Sequence, residues 1–324
     1  MEKFKKIAVL TSGGDAPGMN AAIRAVVRAG LFNGLEVYGV MRGYEGLIQN
    51  EIRKLESPDV SNIIQMGGTI LKSARCPEFR EPEGRARAYE NIKNNEIDGL
   101  IVIGGDGSFA GASLLSREHN FPVIGIPGTI DNDLYGTDYT IGYDTALNNV
   151  VDAVDKIRDT AGSHNRTFFI EVMGREAGFI ALRSGIASGA EAILIPEITG
   201  QLEKLKKIMM ERGSEGKSSI VMVAEGDREG NIFDIAKVIE DEVPGADVRV
   251  SILGHMQRGG SPTAFDRVTA SKLGVAAVDA LMNDQRSIMV GLANNEITHV
   301  PLNKTVKLHK TVSQSLLEIV DVLI

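Results

Sequence analysis

The sequence predicts an α/β protein built from doubly wound parallel sheets with helices on both faces, divided into two domains. Three observations predict it. Short β-rich runs alternate with longer segments of helical period, 43% of the 324 residues are apolar, and successive strand-like runs end in glycine joined to aspartate or a hydroxyl. The alternation is the βαβ pattern of parallel sheets. A chain of this length can bury a large core, and length alone favours about two domains.

The elements follow in order. KIAVLT (6–11) reads as a buried strand and leads into a helix over 18–32. LIVIGG (100–105) is followed by SFAGASLLSREH (108–119), and FPVIGIPG (121–128) by a helical segment over 145–161. The pattern continues with TFFIEVMG, AILIPE, SIVMVAEG and VRVSILG, each with a helix candidate behind it. Parallel strands covered on both faces read as near-continuous apolar runs, as these do, so both halves are expected to be doubly wound, Rossmann-like layers. No clean linker or short-period repeat marks the join, which is placed near residue 140. The last stretch, 304–324, has helical period, carries no recognisable chemistry and is expected to pack.

Composition excludes several function classes. No apolar run approaches the roughly 18 residues of a membrane span, and the basic start MEKFKK precedes only IAVL, so a cytoplasmic location without membrane contact is expected. The single Cys76 rules out an internal disulfide framework, and no Cys/His group has zinc spacing. A formal charge of −8 argues against a nucleic-acid surface while leaving room for local basic clusters that gather phosphate.

In doubly wound sheets, ligands bind beyond the carboxyl ends of the strands. Three such ends share one character: KIAVLT runs into SGGDAPGMN, LIVIGG into DGS and FPVIGIPG into TIDND. Glycine allows close approach of backbone to ligand, and a helix N-terminus offers free N–H groups to phosphate. One glycine-rich turn of this kind is ordinarily just a turn; three at one sheet edge indicate a phosphate site. Two familiar phosphate signatures are absent. No Gly-x-Gly-x-x-Gly follows the first strand, and the GKS at 216–218 lacks the earlier glycine, position 211 being Glu211, and precedes a strand. Asp131 and Asp133 at the end of PGTIDND stay open to two readings, as helix or turn caps or as acid–base groups.

TSGGDAPGMNAAIRAVVR, SARCPEF, IGGDGS, PGTIDND, IRDTAGSHNR, EVMGR, VAEG and LGHMQRGGSP occur in that order between about residues 7 and 300. Together they resemble the bacterial ATP-dependent 6-phosphofructokinase family (type A). PGTIDND and GHMQRGGSP carry most of the specificity, because GGDG is shared with lipid and NAD kinases. The resemblance implies phosphoryl transfer from ATP to the 1-hydroxyl of fructose 6-phosphate in glycolysis. It assigns 1–140 plus 255–304 to a larger ATP-binding domain, and 141–254 plus 305–324 to a smaller sugar-phosphate domain. Asp131 becomes the base that takes the hydroxyl proton, Thr129 a group holding the reacting atoms, Asp133 an electrostatic support, and Arg175 a stabiliser of the transferring charge. Asp106 matches the family's Mg2+ residue, between Gly105 and Gly107. Gly14, Arg75, Cys76 and Ser108 line the ATP side, Gly14 giving room for phosphate and Cys76 serving as a wall.

The resemblance further implies that Ile130, Met173, Gly174, Glu225, His255, Met256, Gln257 and Arg258 bind the sugar with Arg249. Arg166 would reach in from a neighbouring subunit of a homotetramer. Pyrophosphate-using relatives carry aspartate and lysine where this chain has Gly107 and Gly128, so ATP is the expected donor. Arg24, Arg28, Arg158, Gly189, Ala190, Glu191 and Lys217 match an effector pocket for ADP, GDP or phosphoenolpyruvate. That pocket departs from the regulated members: Ser57 stands in place of an arginine, and GKSS replaces a longer basic GKKH. Each missing charge-assisted contact is worth about 1.5–3 kcal/mol, so weak effector binding is expected. Two other classes share features of this sequence, a kinase of a lipid or NAD acceptor and a catalytically silent nucleotide sensor. The basic cluster over 249–258 counts against the first, and the presence of both Asp106 and Asp131 against the second.

Overall fold

The computed structural model describes residues 4–164, 166–212 and 218–323. It divides into two compact units, the first comprising 1–130, 134–145 and 258–310, the second 131–133, 146–257 and 311–324.

The first unit is built on a seven-stranded sheet ordered β11-β10-β5-β4-β1-β2-β3. Its strands are β1 (Lys6–Thr11), β2 (Glu36–Val40), β3 (Ile52–Leu55), β4 (Gly99–Gly104), β5 (Val123–Pro127), β10 (Ile288–Ala293) and β11 (Glu296–Pro301). The five inner strands run parallel, whereas β3 and β11 pair antiparallel to their neighbours at the two edges. The antiparallel edges went unread in the sequence because both are half exposed, without the apolar run that marks an inner strand. The helices are α1 (Met19–Phe32), α2 (Gly43–Ile48), α3 (Pro82–Asn94), α4 (Asp106–His119), α9 (Ala264–Met282) and α10 (Leu302–Lys307). To them is added the start of α5 (Tyr143–His164).

Side chains alternate across the sheet with the period of two that a strand imposes. Ala8, Leu10, Leu100 and Val102 enter a core with Leu47 of α2, Ala88 and Ile92 of α3, Phe109 and Leu115 of α4 and Leu302 of α10. On the opposite face α1 approaches closely enough that a Cβ on Gly30 would lie 2.5 Å from Val37 and 3.3 Å from Ile7. Gly274 of α9 similarly meets Ala25 of α1. A side chain at either glycine would force these helices off the sheet or off each other, at a typical overpacking cost of about 1–3 kcal/mol.

The second unit holds a four-stranded, all-parallel sheet ordered β7-β8-β6-β9. Its strands are β6 (Thr167–Val172), β7 (Ala192–Leu194), β8 (Ser219–Ala224) and β9 (Val248–Ile252). On one face α7 (Gln201–Arg212) and α8 (Ile232–Glu242) bury Leu202, Leu205, Ile235 and Ile239 against Phe169, Val221 and Val223. On the other, Gly185 of α6 (Phe179–Ser188) lies against Ile193 and Met222. The terminal stretch expected to be helical and to pack holds most of α10 and all of α11. In α10, Leu302 and Thr305 are buried, but α11 (Gln314–Leu323) buries none of its residues.

Candidate active site

The residues of the first unit matched to a nucleotide by resemblance lie after β1 and β4, with Arg75 and Cys76 on the segment between β3 and α3. After β1, Ser12 donates its N–H to the Ile103 carbonyl at 2.9 Å, carrying the sheet's bonding pattern into the loop before α1. After β4, the chain turns at Gly105 and begins α4 with Asp106, so an exposed carboxylate stands on the first turn of the helix. That position favours anions through free N–H groups and the helix dipole; the Asp106 carboxylate instead offers a hard oxygen ligand to a divalent cation. Ser108 is buried, and its carbonyl accepts the Tyr44 hydroxyl at 2.5 Å, which ties α4 to α2. Gly104 has to be glycine: a Cβ there would meet Ser108 Oγ at 2.5 Å and the Ser12 carbonyl at 2.6 Å.

Three glycines assigned by resemblance have distinct surroundings. Nothing lies within 4 Å of a Cβ built on Gly107, so the space beside it is open. A Cβ on Gly128 would meet Ile103 at 3.0 Å and Met19 at 3.3 Å, so that position is walled by the core. The room beside Gly14, expected for phosphate, is filled by the Arg258 guanidinium, whose Nη1 would lie 2.7 Å from a Cβ and donates to the Asp15 carbonyl at 3.2 Å. Arg258, grouped by sequence with the sugar residues, thus stands in the first unit beside the first strand-end loop. Arg75 is exposed and Cys76 half-buried just before a short 3-10 turn over Pro77–Arg80. Burial pushes the Cys76 thiol up from its ordinary value, which keeps it protonated and fits a wall residue better than a nucleophile. Thr129 and Ile130 are buried, and the Thr129 carbonyl accepts the Thr140 hydroxyl at 2.6 Å.

In the second unit, Asp131 is 1% exposed and its Oδ2 lies 3.3 Å from Nε of Arg175; Asp133 is half-buried. Arg175 has φ 54°, in the left-handed region, directly after Gly174 at φ 145°. Such a conformation costs a non-glycine residue energy and persists only where its surroundings hold it. Glu225 supplies that hold: its Oε1 accepts the N–H of Gly174 at 3.3 Å and of Arg175 at 2.8 Å. Gln257 adds to it, accepting the Met173 N–H at 3.2 Å through Oε1 and donating through Nε2 to the Gly254 carbonyl at 3.0 Å. Gln257 is fully buried, so its side chain, expected on the substrate, is used by the fold. His255 and Met256 are exposed on the same short turn, Gly254–Arg258.

Arg166 and Arg249 are linked by a residue that sequence reasoning missed. Asp247 accepts Arg166 Nε at 2.9 Å through Oδ2 and pairs with Arg249 Nη1 at 2.6 Å through Oδ1. One carboxylate thus holds two half-exposed guanidinium groups side by side. An aspartate two residues before an arginine in a strand is too common a pattern to reveal this. Asp266 was also missed. It is fully buried, and accepts the N–H of Gly142 (2.9 Å) through one oxygen and the N–H and hydroxyl of Thr145 (2.8 and 2.5 Å) through the other. It thereby anchors the first turn of α5, and burial pushes its carboxyl up to about 6, against those hydrogen bonds, which lower it.

The residues matched to an effector pocket fall into separate groups. Arg24 and Arg28 share one face of α1. Arg158 donates through Nη2 to the carbonyls of Ser188 (2.7 Å) and Gly189 (2.9 Å), capping the end of α6. Its Nη1 reaches Glu191 at 3.5 Å, and Glu191 in turn accepts the Ile220 N–H at 2.6 Å. Gly189 takes a left-handed C-cap conformation, Ala190 is buried and Ser57 opens a short 3-10 turn. Lys217 lies outside the described residues.

Doubly wound sheets whose strands end in glycine and aspartate at helix starts, together with buried and basic side chains suited to a phosphorylated substrate, define a phosphoryl-transfer protein of the α/β class. The chain belongs to the phosphofructokinase family, whose profile matches residues 6–281. It is 58% identical over 320 residues to ATP-dependent 6-phosphofructokinase 2 of Bacteroides thetaiotaomicron, covering 98% of both chains. It is 53% identical over 321 residues to ATP-dependent 6-phosphofructokinase 1 of Thermus thermophilus, covering 99% of both. Phosphofructokinase from Saccharomyces cerevisiae superposes with a TM-score of 0.86 at 40% identity over 94% of this chain, which spans 45% of the yeast chain. A pyrophosphate-dependent phosphofructokinase from Marinobacter aquaeolei shares the fold, with a TM-score of 0.84 at 23% identity. Among the described residues no helix is long and apolar enough to cross a membrane.

Proposed function

We propose that the chain carries out the ATP-dependent phosphorylation of fructose 6-phosphate, the glycolytic step giving fructose 1,6-bisphosphate and ADP, with Asp131 as the general base. The observation that carries the assignment of the base is the buried Asp131 carboxylate with Arg175 Nε at 3.3 Å. A carboxylate at a strand end is suited to accept the proton of the sugar 1-hydroxyl as its oxygen bonds to the γ-phosphorus and ADP departs. Arg175 offers its guanidinium to the charge on the transferring phosphoryl group, and Thr129 helps hold the reacting groups. The Glu225 and Gln257 bonds to residues 173–175 favour a turn held ready before substrate arrives.

ATP is the donor and Mg2+ the metal of this reading. The open space beside Gly107 suits a nucleotide's α-phosphate, with Gly105 and Ser108 beside it and Arg75 as a cation. Asp106 fits the ion, being a single exposed carboxylate at a helix start, and Mg2+ takes one or two carboxylates and completes its shell with phosphate oxygens and water. Bound there, the ion would neutralise phosphate charge. Met173, Gly174, Glu225, Arg249, His255 and Arg258 take the sugar phosphate, with Arg166 contributed by a neighbouring subunit of a cytoplasmic homotetramer, as the family resemblance implies. The first unit is then the ATP-binding domain and the second the sugar-phosphate domain.

Coupled assay of ADP release with fructose 6-phosphate, ATP and Mg2+ tests the whole reading. Turnover that is faster with pyrophosphate at equal concentration overturns the donor assignment.

A further inference from the structure

Between β3 and α3 the chain crosses the strand ends of the first unit as an irregular strap, residues 66–73, just before Arg75 and Cys76. Its fastenings are specific. Asn20, 1% exposed on the first turn of α1, donates through Nδ2 to the carbonyls of Met66 (3.2 Å) and Gly67 (3.1 Å). Through Oδ1 it accepts the Ile70 N–H at 2.7 Å. Both carbonyls face the amide nitrogen and the N–H faces the oxygen, so the side-chain orientation is fixed by its partners. The buried Thr11 hydroxyl donates to the Lys72 carbonyl at 2.9 Å and lies 2.9 Å from the Thr69 hydroxyl. Ser73 closes the series by donating to the Gly13 carbonyl at 2.8 Å.

Every one of these anchors lies on β1, on the loop after it or on the start of α1, the segment whose glycines and N–H groups were read as a phosphate cradle. The strap has no helix or strand ladder of its own across residues 66–73 to set its path. Its course, and therefore where it delivers Arg75, is set by these contacts with the cradle together with the buried Leu71, whose carbonyl accepts the Arg42 N–H at 2.7 Å.

We propose that Asn20 is a positioning residue for the nucleotide, acting through the strap to place Arg75 on the ATP phosphates; this rests on the reading of Arg75 as an ATP contact. Asn20 touches no reacting atom. It couples the first strand-end loop to the strap so that the two move as one.

The test compares Asn20→Asp, Asn20→Ala, Ser73→Ala, Arg75→Ala and the Asn20→Ala/Arg75→Ala double variant in the full chain. Asn20→Asp keeps the shape while setting an oxygen against two carbonyls. Ser73→Ala sits at a half-buried position and removes one fastening without opening the core. Both Asn20 variants are expected to raise the KM for ATP about tenfold, Ser73→Ala about threefold, with the KM for fructose 6-phosphate and kcat within twofold, since loss of two or three such bonds is worth about a factor of ten and loss of one less. In the Arg75→Ala background, Asn20→Ala should add less than twofold, because residues acting through one another are not additive. Equal rises in both KM values, a loss in kcat alone, or full multiplication in the double variant overturns the inference. An unmoved ATP KM in Ser73→Ala does so too if the Asn20 variants fail to fold. If Arg75→Ala raises the ATP KM while folded Asn20 variants do not, the inference alone fails. If Arg75→Ala leaves it unchanged, the ATP reading of Arg75 fails and takes the proposed route with it.

Discussion

Asp131 Oδ2 lies 3.3 Å from Arg175 Nε, a carboxylate 1% exposed facing a guanidinium that is 53% exposed. The acid is sealed in the fold while its cation remains open to solvent and ligand. Because Asp131 is buried, removing the cation would leave its charge less compensated, so the pair bears on folding as well as on chemistry. Asp131→Asn is expected to lower kcat by about 10²–10⁴-fold, the range for a positioned base, with the fructose 6-phosphate dissociation constant within a few-fold. Calorimetric binding alongside steady-state kinetics checks it; a near-normal kcat would remove Asp131 from the role of base.

Donor choice should respond differently at two glycines. Gly107 faces open space, so Gly107→Asp is expected to fold normally and to lose ATP turnover through charge placed beside the α-phosphate. Gly128 faces Ile103 and Met19, so Gly128→Lys should cost about 1–3 kcal/mol of stability as well. Thermal melts paired with ATP and pyrophosphate assays separate the two effects.

Asp266 makes stability depend on pH. Its carboxyl is raised from 3.8 to about 6 in the fold, so between those values the folded chain binds more protons than the unfolded one, and this group's contribution falls as pH rises through the window. Above about pH 6 the penalty is complete and flat. Asp266→Asn removes the titration and disturbs the bonds to Gly142 and Thr145, so its expected deficit of about 1–3 kcal/mol relative to the wild type is largest at pH 4.5 and shrinks toward pH 7 as the wild type takes on its own penalty. Denaturant melts of both proteins at pH 4.5, 5.5 and 7 check the magnitude and the flattened profile.

Effectors should act weakly. Arg158 is engaged with the end of α6, and Ser57 brings no cation. At subsaturating fructose 6-phosphate, phosphoenolpyruvate or ADP at micromolar concentration is expected to change the rate less than twofold, and strong inhibition or activation would refute this.

The fold was legible at most of the strands buried on both faces, although the buried β10 went unread. β1, β4, β5, β6 and β8 appear as unbroken apolar runs, and α1 and α4 sit within a residue or two of where periodicity puts them. The antiparallel edges β3 and β11 were not legible, since a half-exposed strand carries no such run. The helix after β5 starts at Tyr143 instead of Thr145, because its first turn is held by Asp266, 121 residues away from Thr145 in sequence.

Sequence alone determined the chemistry within reach: glycine at strand ends, Asp106 and Asp131 after them, arginines farther along, and the family these belong to. It did so because residue types and their order suffice to name a class of reaction. Only tertiary structure decided that Gln257 supports a turn, that Arg258 fills the space beside Gly14, and that Asp247 joins Arg166 to Arg249. Those facts depend on which distant side chains share a few ångströms, and hydrogen bonds and ion pairs form by distance in space, which chain order does not encode.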